Sequence, residues 1–262
     1  MEIEKILGRK EFKDIKLHAE DSVKMNSFIL ITGANGSIGT KLVSQLKRWG
    51  VKFIATDIEE MDVLKPETFI NLPFTHVVNL AASKHAPLGE TEVELTFSIN
   101  TVGTLNLLKF YPNAKHVLTS TCKSCNPETV YGASKLIAER LVLNSGGSVA
   151  RFYNVVPSAG NVFEIWKEQD TINVAHECNR YFISINEAVA LTLYAIFNEG
   201  RYMVHGVELR NMFDIAKAIY PNKEMILTPP RRGDRVTEKK MADHEEGILK
   251  HEHIIKIKSA ND

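Results

Sequence analysis

Cysteine is scarce in this 262-residue chain: Cys122, Cys125 and Cys178 are the only three, and three thiols cannot all pair with one another. That argues against a disulfide-stapled secreted scaffold and leaves the thiols to chemistry or packing. Net charge is lacking too, because 32 Lys and Arg offset 32 Asp and Glu. Without a global positive field, neither nucleic acid nor an anionic membrane is an expected partner, and any anionic ligand must be held locally. Apolar runs are short. None approaches the roughly 20 residues of a membrane span, and the start, MEIEKILGRKEF, is too charged for a secretory core. The expectation is a cytoplasmic protein without membrane insertion. Internal repeats and low-complexity tracts are missing as well.

What is there is an alternation. With 44% hydrophobic residues the chain can bury a sizeable core as one compact unit with a minor lobe. Residues 1–26 are mixed and charged and read as an N-terminal extension. From Ser27 onward, apolar runs at Phe28–Thr32, Phe53–Asp57, His76–Leu80, His116–Ser120 and Ser148–Phe152 predict strands. Between them Ser37–Trp49, Glu90–Phe110 and Val130–Leu143 carry apolar residues at three- and four-residue spacing, which predicts helices. Further on, Ser184 and Glu187 form a capping box before the apolar run Ala188–Phe197. The rhythm predicts an α/β fold, a Rossmann-type doubly wound parallel sheet with a small C-terminal substrate-binding lobe. The dinucleotide-binding domain is expected over 27–153 with parts of 184–220. The lobe takes 154–183 and 221–250, and 251–262 reads as a polar tail.

Gly33, Gly36 and Gly39 lie three apart, after a predicted strand and at the start of a predicted helix. A pyrophosphate can approach such a helix N-terminus, where free N–H groups and the dipole favour negative charge, only if side chains are out of the way. The bland alternative is a glycine turn needed only for packing. Asp57 ends the next predicted strand, 18 residues beyond Gly39, near where an acid accepts from the adenosine ribose. The neighbouring Glu59 and Glu60 would repel a 2′-phosphate, so NAD is favoured and NADP is the alternative. The candidate cofactor set is Gly33, Asn35, Gly36, Ser37, Ile38, Gly39, Asp57, Asp62, Ala81 and Ala82, joined by Tyr131 and Lys135.

Tyr131 and Lys135 stand four apart, on one face of a predicted helix, just after a strand that runs into Thr121. An ammonium there can lower a tyrosine from about 10 toward neutrality, making its phenolate a base for a sugar hydroxyl, while Thr121 donates to the same oxygen. Such spacing also occurs by chance; the dinucleotide turn upstream gives it weight.

The TGANGSIG turn and the YGASK motif resemble those of extended short-chain dehydrogenases/reductases. Segments NLAASKHAPLGE, STCKSCNPETVYGASK, RFYNVVPSAGNV and NRYFISINEAV resemble, in order, nucleotide-sugar 4,6-dehydratases of polysaccharide and glycan biosynthesis, and ILGRKEF resembles the stretch before their cofactor domain. The resemblance covers residues 3 to about 245. It implies a UDP-N-acetylglucosamine-type substrate: Tyr131 takes the 4-OH proton as hydride leaves C4, water is lost across C5 and C6, and hydride returns to C6. It also implies a homo-oligomer built on two helices per subunit. In the family an adjacent Asp-Lys pair serves the elimination; here Cys122 and Lys123 stand there. A thiol, with a reference pKa near 8.5, is protonated at neutral pH but is a poor hydrogen-bond donor. Lys123 must fall by roughly 3 units to be a base at C5, and burial near Lys135 and the nicotinamide would push that way.

Lys84 and His85 follow the third strand and, by resemblance, face the sugar or its diphosphate. Asn154, Arg180 and Arg231 complete the candidate substrate set, arginine being suited to bidentate diphosphate contacts. Each arginine reads equally well as a solvated charge. Two departures from the family stand out: Ala159 occupies an arginine position, and the stretch from Asp57 to Asp62 is short, as in 4-keto reductases whose cofactor domain drops a helix there. Cys122-x-x-Cys125 lacks a second pair at zinc spacing, and His251 and His253 are isolated, so no metal is expected. Dehydration is the leading reading. A 4-epimerase or 4-keto reductase, using Thr121, Tyr131 and Lys135 alone, comes second; a non-catalytic dinucleotide sensor comes third.

Overall fold

The computed structural model describes residues 3–12 and 26–260; residues 13–25 of the extension and the last two of the tail lie outside them. β-branched and aromatic runs become β1 (Phe28–Thr32), β2 (Lys52–Thr56), β3 (His76–Asn79), β4 (Lys115–Thr121) and β5 (Ser148–Phe152). In the second half follow β6 (Asn154–Val156), β7 (Thr171–Ala175), β8 (Asn179–Ser184), β9 (Gly200–Val204), β10 (Leu209–Asn211), β11 (Glu224–Thr228), β12 (Glu245–His251) and β13 (Ile254–Ser259). The main sheet has the order β12-β13-β9-β5-β4-β3-β1-β2. From β2 to β9 every pairing is parallel, whereas β13 is antiparallel to both β9 and β12. Ile29, Leu30 and Ile31 of β1 are all fully buried, as expected of a strand covered by helices on both faces.

The covering helices follow from their apolar stripes and caps. Helix α1 (Ile3–Leu7) precedes the sheet, and α2 (Ser37–Arg48) buries Leu42 and Leu46. The single helix expected over 90–110 runs unbroken from Val93 to Phe110, as α3 (Val93–Phe97) and α4 (Gly103–Phe110) carried through a π turn at Ser98–Val102 that holds Asn100 fully buried. Helix α5 (Val130–Asn144) starts at Thr129, whose hydroxyl accepts from the Gly132 N–H at 3.1 Å. After α6 (Val162–Glu168) comes α7 (Ile185–Phe197), apolar all round because it is packed between α2 and the sheet; the Ser184–Glu187 capping box starts it. Helix α8 (Met212–Ile219) ends the series. Between β2 and β3 there is only a 3-10 turn, Pro66–Thr68, which is the dropped helix suggested by the short 57–62 stretch.

A second core joins β6, β8 and β10, the parallel pair β7 and β11, and helices α6 and α8 through Phe163, Trp166, Ile172, Phe182, Met212 and Ile215. Ile6 and Leu7 of α1 are buried in it, so the start of the extension is part of the lobe's packing. Residues 251–259 are not a polar tail. They turn from β12 into β13, and Ile254, Ile255 and Ile257 are buried against the β9 edge. Lysines at 250, 256 and 258 mask the apolar positions in composition; Lys250 and Lys258 are exposed, while Lys256 donates to the Glu199 carbonyl and lies over the Tyr202 ring.

Candidate active site

The C-terminal ends of β1, β3, β4 and β5 open into one cavity of about 1190 Å³, roofed by the lobe. It lies where the strand order reverses between β1 and β3, the crevice in which doubly wound sheets hold ligands.

Gly36 precedes α2 with no side-chain cap, and Gly33, Gly36, Ser37, Ile38 and Gly39 line the cavity. A Cβ on Gly33, at φ +66°, would stand 2.7 Å from the Ala81 nitrogen, so packing alone demands glycine there. Gly36 differs: a Cβ would meet only the Gly33 carbonyl at 3.4 Å, so the missing side chain leaves open room at the helix N-terminus. An uncapped helix start with that room suits a dinucleotide pyrophosphate. Across the gap the Ala159 N–H donates to the Ser37 hydroxyl at 3.0 Å, drawing the lobe's 158–160 loop over the turn.

Of the remaining cofactor candidates, Ala82 lines the cavity, while Asn35, Asp57, Asp62 and Ala81 are not among its lining residues. Asp57 accepts from the Asn35 N–H at 2.8 Å and the Ile58 N–H at 2.9 Å, bracing the turn against the end of β2. Asp62 accepts from the Leu64 N–H and pairs with Lys65. Ala81 donates to Asn79.

Thr121, Lys123, Tyr131 and Lys135 share one wall of the cavity. Burial raises the Tyr131 pKa and outweighs the lowering by Lys123 and Thr121, so tyrosine rests as a phenol in the ligand-free protein. Burial also lowers Lys135 to about 8, against a smaller opposing effect of Glu139.

The elimination pair is the site's main departure from expectation. Cys122 is 1% exposed, packs in the core with Phe152 and Tyr153, and is absent from the cavity wall; burial and then Glu238 push its thiol up to about 12. It is not placed as a proton donor to a ligand. Lys123, expected to have a lowered pKa, has a raised one: burial is the largest single influence and opposes its charge, but the Glu238 carboxylate, 2.6 Å from Nζ, together with Cys122 and Tyr131, outweighs it. Lys123 is held as an ammonium.

Lys84, His85, Asn154, Arg180 and Arg231 all line the cavity. Lys84 donates to the Ala159 carbonyl at 3.0 Å. Asn154 accepts from Lys123 and donates to Glu238. Arg180 and the exposed Arg231 share Asp234, at 3.8 and 2.9 Å. Sequence reasoning missed Glu238, which sits in no motif and is brought in by the return of the 231–238 loop, and it gave Asp234, within the 231–235 stretch, no role in the site. It also missed Asn100, whose amide holds both backbone groups of Ser83 at 3.0 Å and the Ser134 hydroxyl at 3.0 Å, fixing the 82–85 loop against α5. All three thiols are free and buried. No helix among the described residues is long and apolar enough to cross a membrane.

Sheet order, glycine turn and the Thr-Tyr-Lys wall define an extended short-chain dehydrogenase/reductase fold. The solved structures agree: the fold superimposes with a TM-score of 0.76 on Pen from Bacillus thuringiensis, at 21% identity over 90% of this chain and 89% of that one. A TM-score of 0.72 relates it to a Thermus thermophilus UDP-glucose 4-epimerase in complex with NAD, at 23% identity over 80% and 89% of the two chains. The chain belongs to the polysaccharide biosynthesis protein family, whose model matches residues 48–259. It is 32% identical to an uncharacterized membrane protein of Methanocaldococcus jannaschii, over 71% of this chain and 66% of that one. With the Staphylococcus aureus capsular polysaccharide biosynthesis protein CapD it shares 31% identity over 74% of this chain but only 40% of that protein. It therefore spans less than two thirds of either relative's length. It is also homologous, at 25% identity over 80% of this chain and 76% of the other, to an inverting UDP-N-acetylglucosamine 4,6-dehydratase of Campylobacter jejuni.

Proposed function

We propose that this chain is a nicotinamide-dinucleotide-dependent enzyme acting on a UDP-linked sugar in the cytoplasm, and that its reaction is 4,6-dehydration of a UDP-N-acetylglucosamine-type substrate. The observation that carries the reading is the shared wall: Thr121, Tyr131, Lys135 and Lys123 face one cavity with the glycine turn. Similarity to the Campylobacter jejuni dehydratase supports the substrate class. Gly33, Gly36, Ser37, Ile38 and Gly39 would hold the pyrophosphate, with Tyr131 and Lys135 beside the nicotinamide. When bound, NAD or NADP accepts hydride from C4 and returns it to C6. Tyr131 removes the 4-OH proton, Thr121 orients the phenol, and Lys135, near neutrality at about 8, favours the phenolate when protonated. Lys84, His85 and Arg180 face the sugar diphosphate.

A second reading, 4-epimerisation or 4-keto reduction, is favoured by the exclusion of Cys122 from the cavity, since neither reaction needs an elimination acid. The test is incubation with UDP-N-acetylglucosamine in deuterated water without reductant. Dehydration yields a 4-keto-6-deoxy sugar with deuterium at C5 and one water lost. A C4 epimer, or a substrate untouched until a reductant and a 4-keto sugar are supplied, selects the second reading. Cofactor binding without any turnover selects a sensor.

A further inference from the structure

Glu238 enters the site from 115 residues downstream of Lys123, yet its Oε1 is 2.6 Å from the lysine Nζ. Asn154 closes a triangle: its Oδ1 accepts from Lys123 at 3.1 Å and its Nδ2 donates to Glu238 Oε2 at 2.8 Å. The Tyr181 N–H adds a further donor to Oε2 at 3.3 Å. The Glu238 side chain is 2% exposed and that of Lys123 17%. Burying such a pair costs desolvation that Coulomb attraction rarely exceeds, so it is weak evidence of a purely stabilising role. Lys123 and Asn154, moreover, stand on the cavity wall, which a structural ion pair has no need to do.

We propose that Glu238 is the proton store of Lys123, a positioning residue that replaces the acid missing at Cys122 and lets one lysine act as both base and acid in the elimination. The proposal rests on the dehydratase reading above. Once C4 is a ketone, the C5–H bond is acidic. Lys123 passes one ammonium proton to the Glu238 carboxylate, leaving an amine and a carboxylic acid. The amine lone pair takes the C5 proton, the C–H electron pair enters a C4–C5 enolate, and Lys123 is again an ammonium. The enolate then re-forms the ketone, C5=C6 forms, the C6–O6 bond breaks, and Lys123 gives its proton to O6, which departs as water. Finally the proton on Glu238 returns to the amine. The cycle consumes no proton and needs no oxidant beyond the C4 hydride acceptor.

The surroundings are consistent with a shared proton. Lys123 faces Cys122 from the preceding turn and Tyr131 from α5. Glu238 faces Tyr181 and Arg180 from β8, the guanidinium at 3.7 Å, and Asp234 lies behind Arg180 at 3.8 Å. Arg180 is thus a second cation beside the carboxylate, at 3.7 Å against 2.6 Å for Lys123.

The experiment compares wild type, Glu238→Gln and Glu238→Asp from about pH 6 to about pH 10, timing C4 oxidation and loss of water separately in single turnovers. In the wild type the exchanged proton stays within the pair, so loss of water has no limb from Lys123. In Glu238→Gln the lysine must lose its proton to solvent: elimination falls at least about tenfold relative to C4 oxidation at neutral pH and recovers as pH rises. Glu238→Asp keeps the flat profile and covers the case in which glutamine unsettles the cluster. A limb from Tyr131 would be common to all three. A readout without turnover is the NMR titration of the Lys123 ε-carbon in the ligand-free protein, expected to move to lower pH in Glu238→Gln. A Glu238→Gln enzyme with the wild-type profile, a new limb in Glu238→Asp, or an unmoved titration overturns the proposal. A dehydrating wild type with an indifferent Glu238→Gln sinks the proton store alone, whereas a wild type that never dehydrates sinks the reaction assignment as well.

Discussion

Arg151 and Glu139 face each other with both side chains fully buried, the guanidinium donating to the two carboxylate oxygens at 3.0 and 2.6 Å. Glu245 of β12 accepts from the same guanidinium at 2.7 Å, and Arg201 of β9 lies 2.8 Å from Glu139. Helix α5, which carries Tyr131 and Lys135, is thus tied through one cluster to the C-terminal hairpin. Burial would raise Glu139, but Arg151 and Arg201 hold it down at about 2 from 4.5. A depressed carboxylate contributes stability that is complete above its unfolded value and is lost as pH falls from 4.5 to about 2. Urea unfolding followed over that window should show an acid limb of roughly 3 kcal/mol from this group, absent in Glu139→Gln. Arg151→Met, which leaves two buried carboxylates to Arg201 alone, should cost about 3–5 kcal/mol at neutral pH.

Removing the hairpin should be as damaging. A chain ending before Glu245 loses a carboxylate from the cluster and the burial of Ile254, Ile255 and Ile257, each worth roughly 1.5–3 kcal/mol, and it bares the β9 edge. The expected outcome is an aggregating or unfolded protein, checked by thermal unfolding and light scattering. Stable, monodisperse protein after truncation at 244 would show that the hairpin is dispensable.

Local signals carried most of the fold and fewer of the site's contacts. β1 and β5 begin and end where their apolar runs do, and the Ser184–Glu187 box starts α7, because these boundaries are set by neighbours in sequence. The hairpin was hidden because edge strands are charged on their outer side, so Ile254 and Ile257 read as isolated residues in a polar stretch. The π turn around Asn100 carries no periodic signature, since its helix keeps the apolar spacing on both sides. Tyr131 and Lys135 were legible from a four-residue spacing on one helix. Glu238 was not, because its pairing with Lys123 is made by the returning 231–238 loop, and that same pairing reversed the expected direction of the lysine's pKa.

The glycine turn separates packing from binding. Gly39, like Gly33, is crowded by backbone, a Cβ there standing 2.5 Å from the Ala34 carbonyl, whereas Gly36 meets nothing closer than 3.4 Å. Gly36→Val should keep a melting temperature close to wild type and lose dinucleotide affinity by at least about tenfold, because the side chain fills the helix N-terminus that the phosphates need. Gly33→Ala and Gly39→Ala should lower the melting temperature first. Calorimetric titration with NAD and NADP beside thermal scans distinguishes the two effects and also selects the cofactor.

Val93, Leu95 and Phe97 of α3 and Ile137 of α5 are 42–50% exposed on helices that pack side by side. Exposed apolar side chains on a packed helix pair, with Val93 and Phe97 on one face of α3, fit a partner copy. Ile137→Glu should shift the protein toward monomer in sedimentation velocity without altering its fold; an unchanged sedimentation coefficient would remove these helices as the interface.

Lys135 is held at a cost to stability. It is 2% exposed, and burial depresses its pKa from 10.5 to about 8 while Glu139, one turn on, only partly compensates. A lysine depressed in the folded state imposes a penalty that is full below about pH 8, shrinks as pH rises, and is gone above 10.5. Its upper bound is roughly 3 kcal/mol, from 1.36 kcal/mol per unit. Lys135→Met keeps the length and apolar stem of the side chain and removes the charge, leaving Arg151 and Arg201 to neutralise Glu139. The variant should therefore melt several degrees higher at neutral pH and lose the wild type's gain in stability between about pH 8 and about pH 10. Turnover should fall by about a hundredfold or more, because in the proposed mechanism Lys135 favours the Tyr131 phenolate and only Lys123 remains to do so. Melting curves at the two pH values, set beside single-turnover C4 oxidation, measure both halves of that exchange. If Lys135→Met is less stable than wild type, the buried ammonium is part of the packing and the trade of stability for chemistry at this position is wrong.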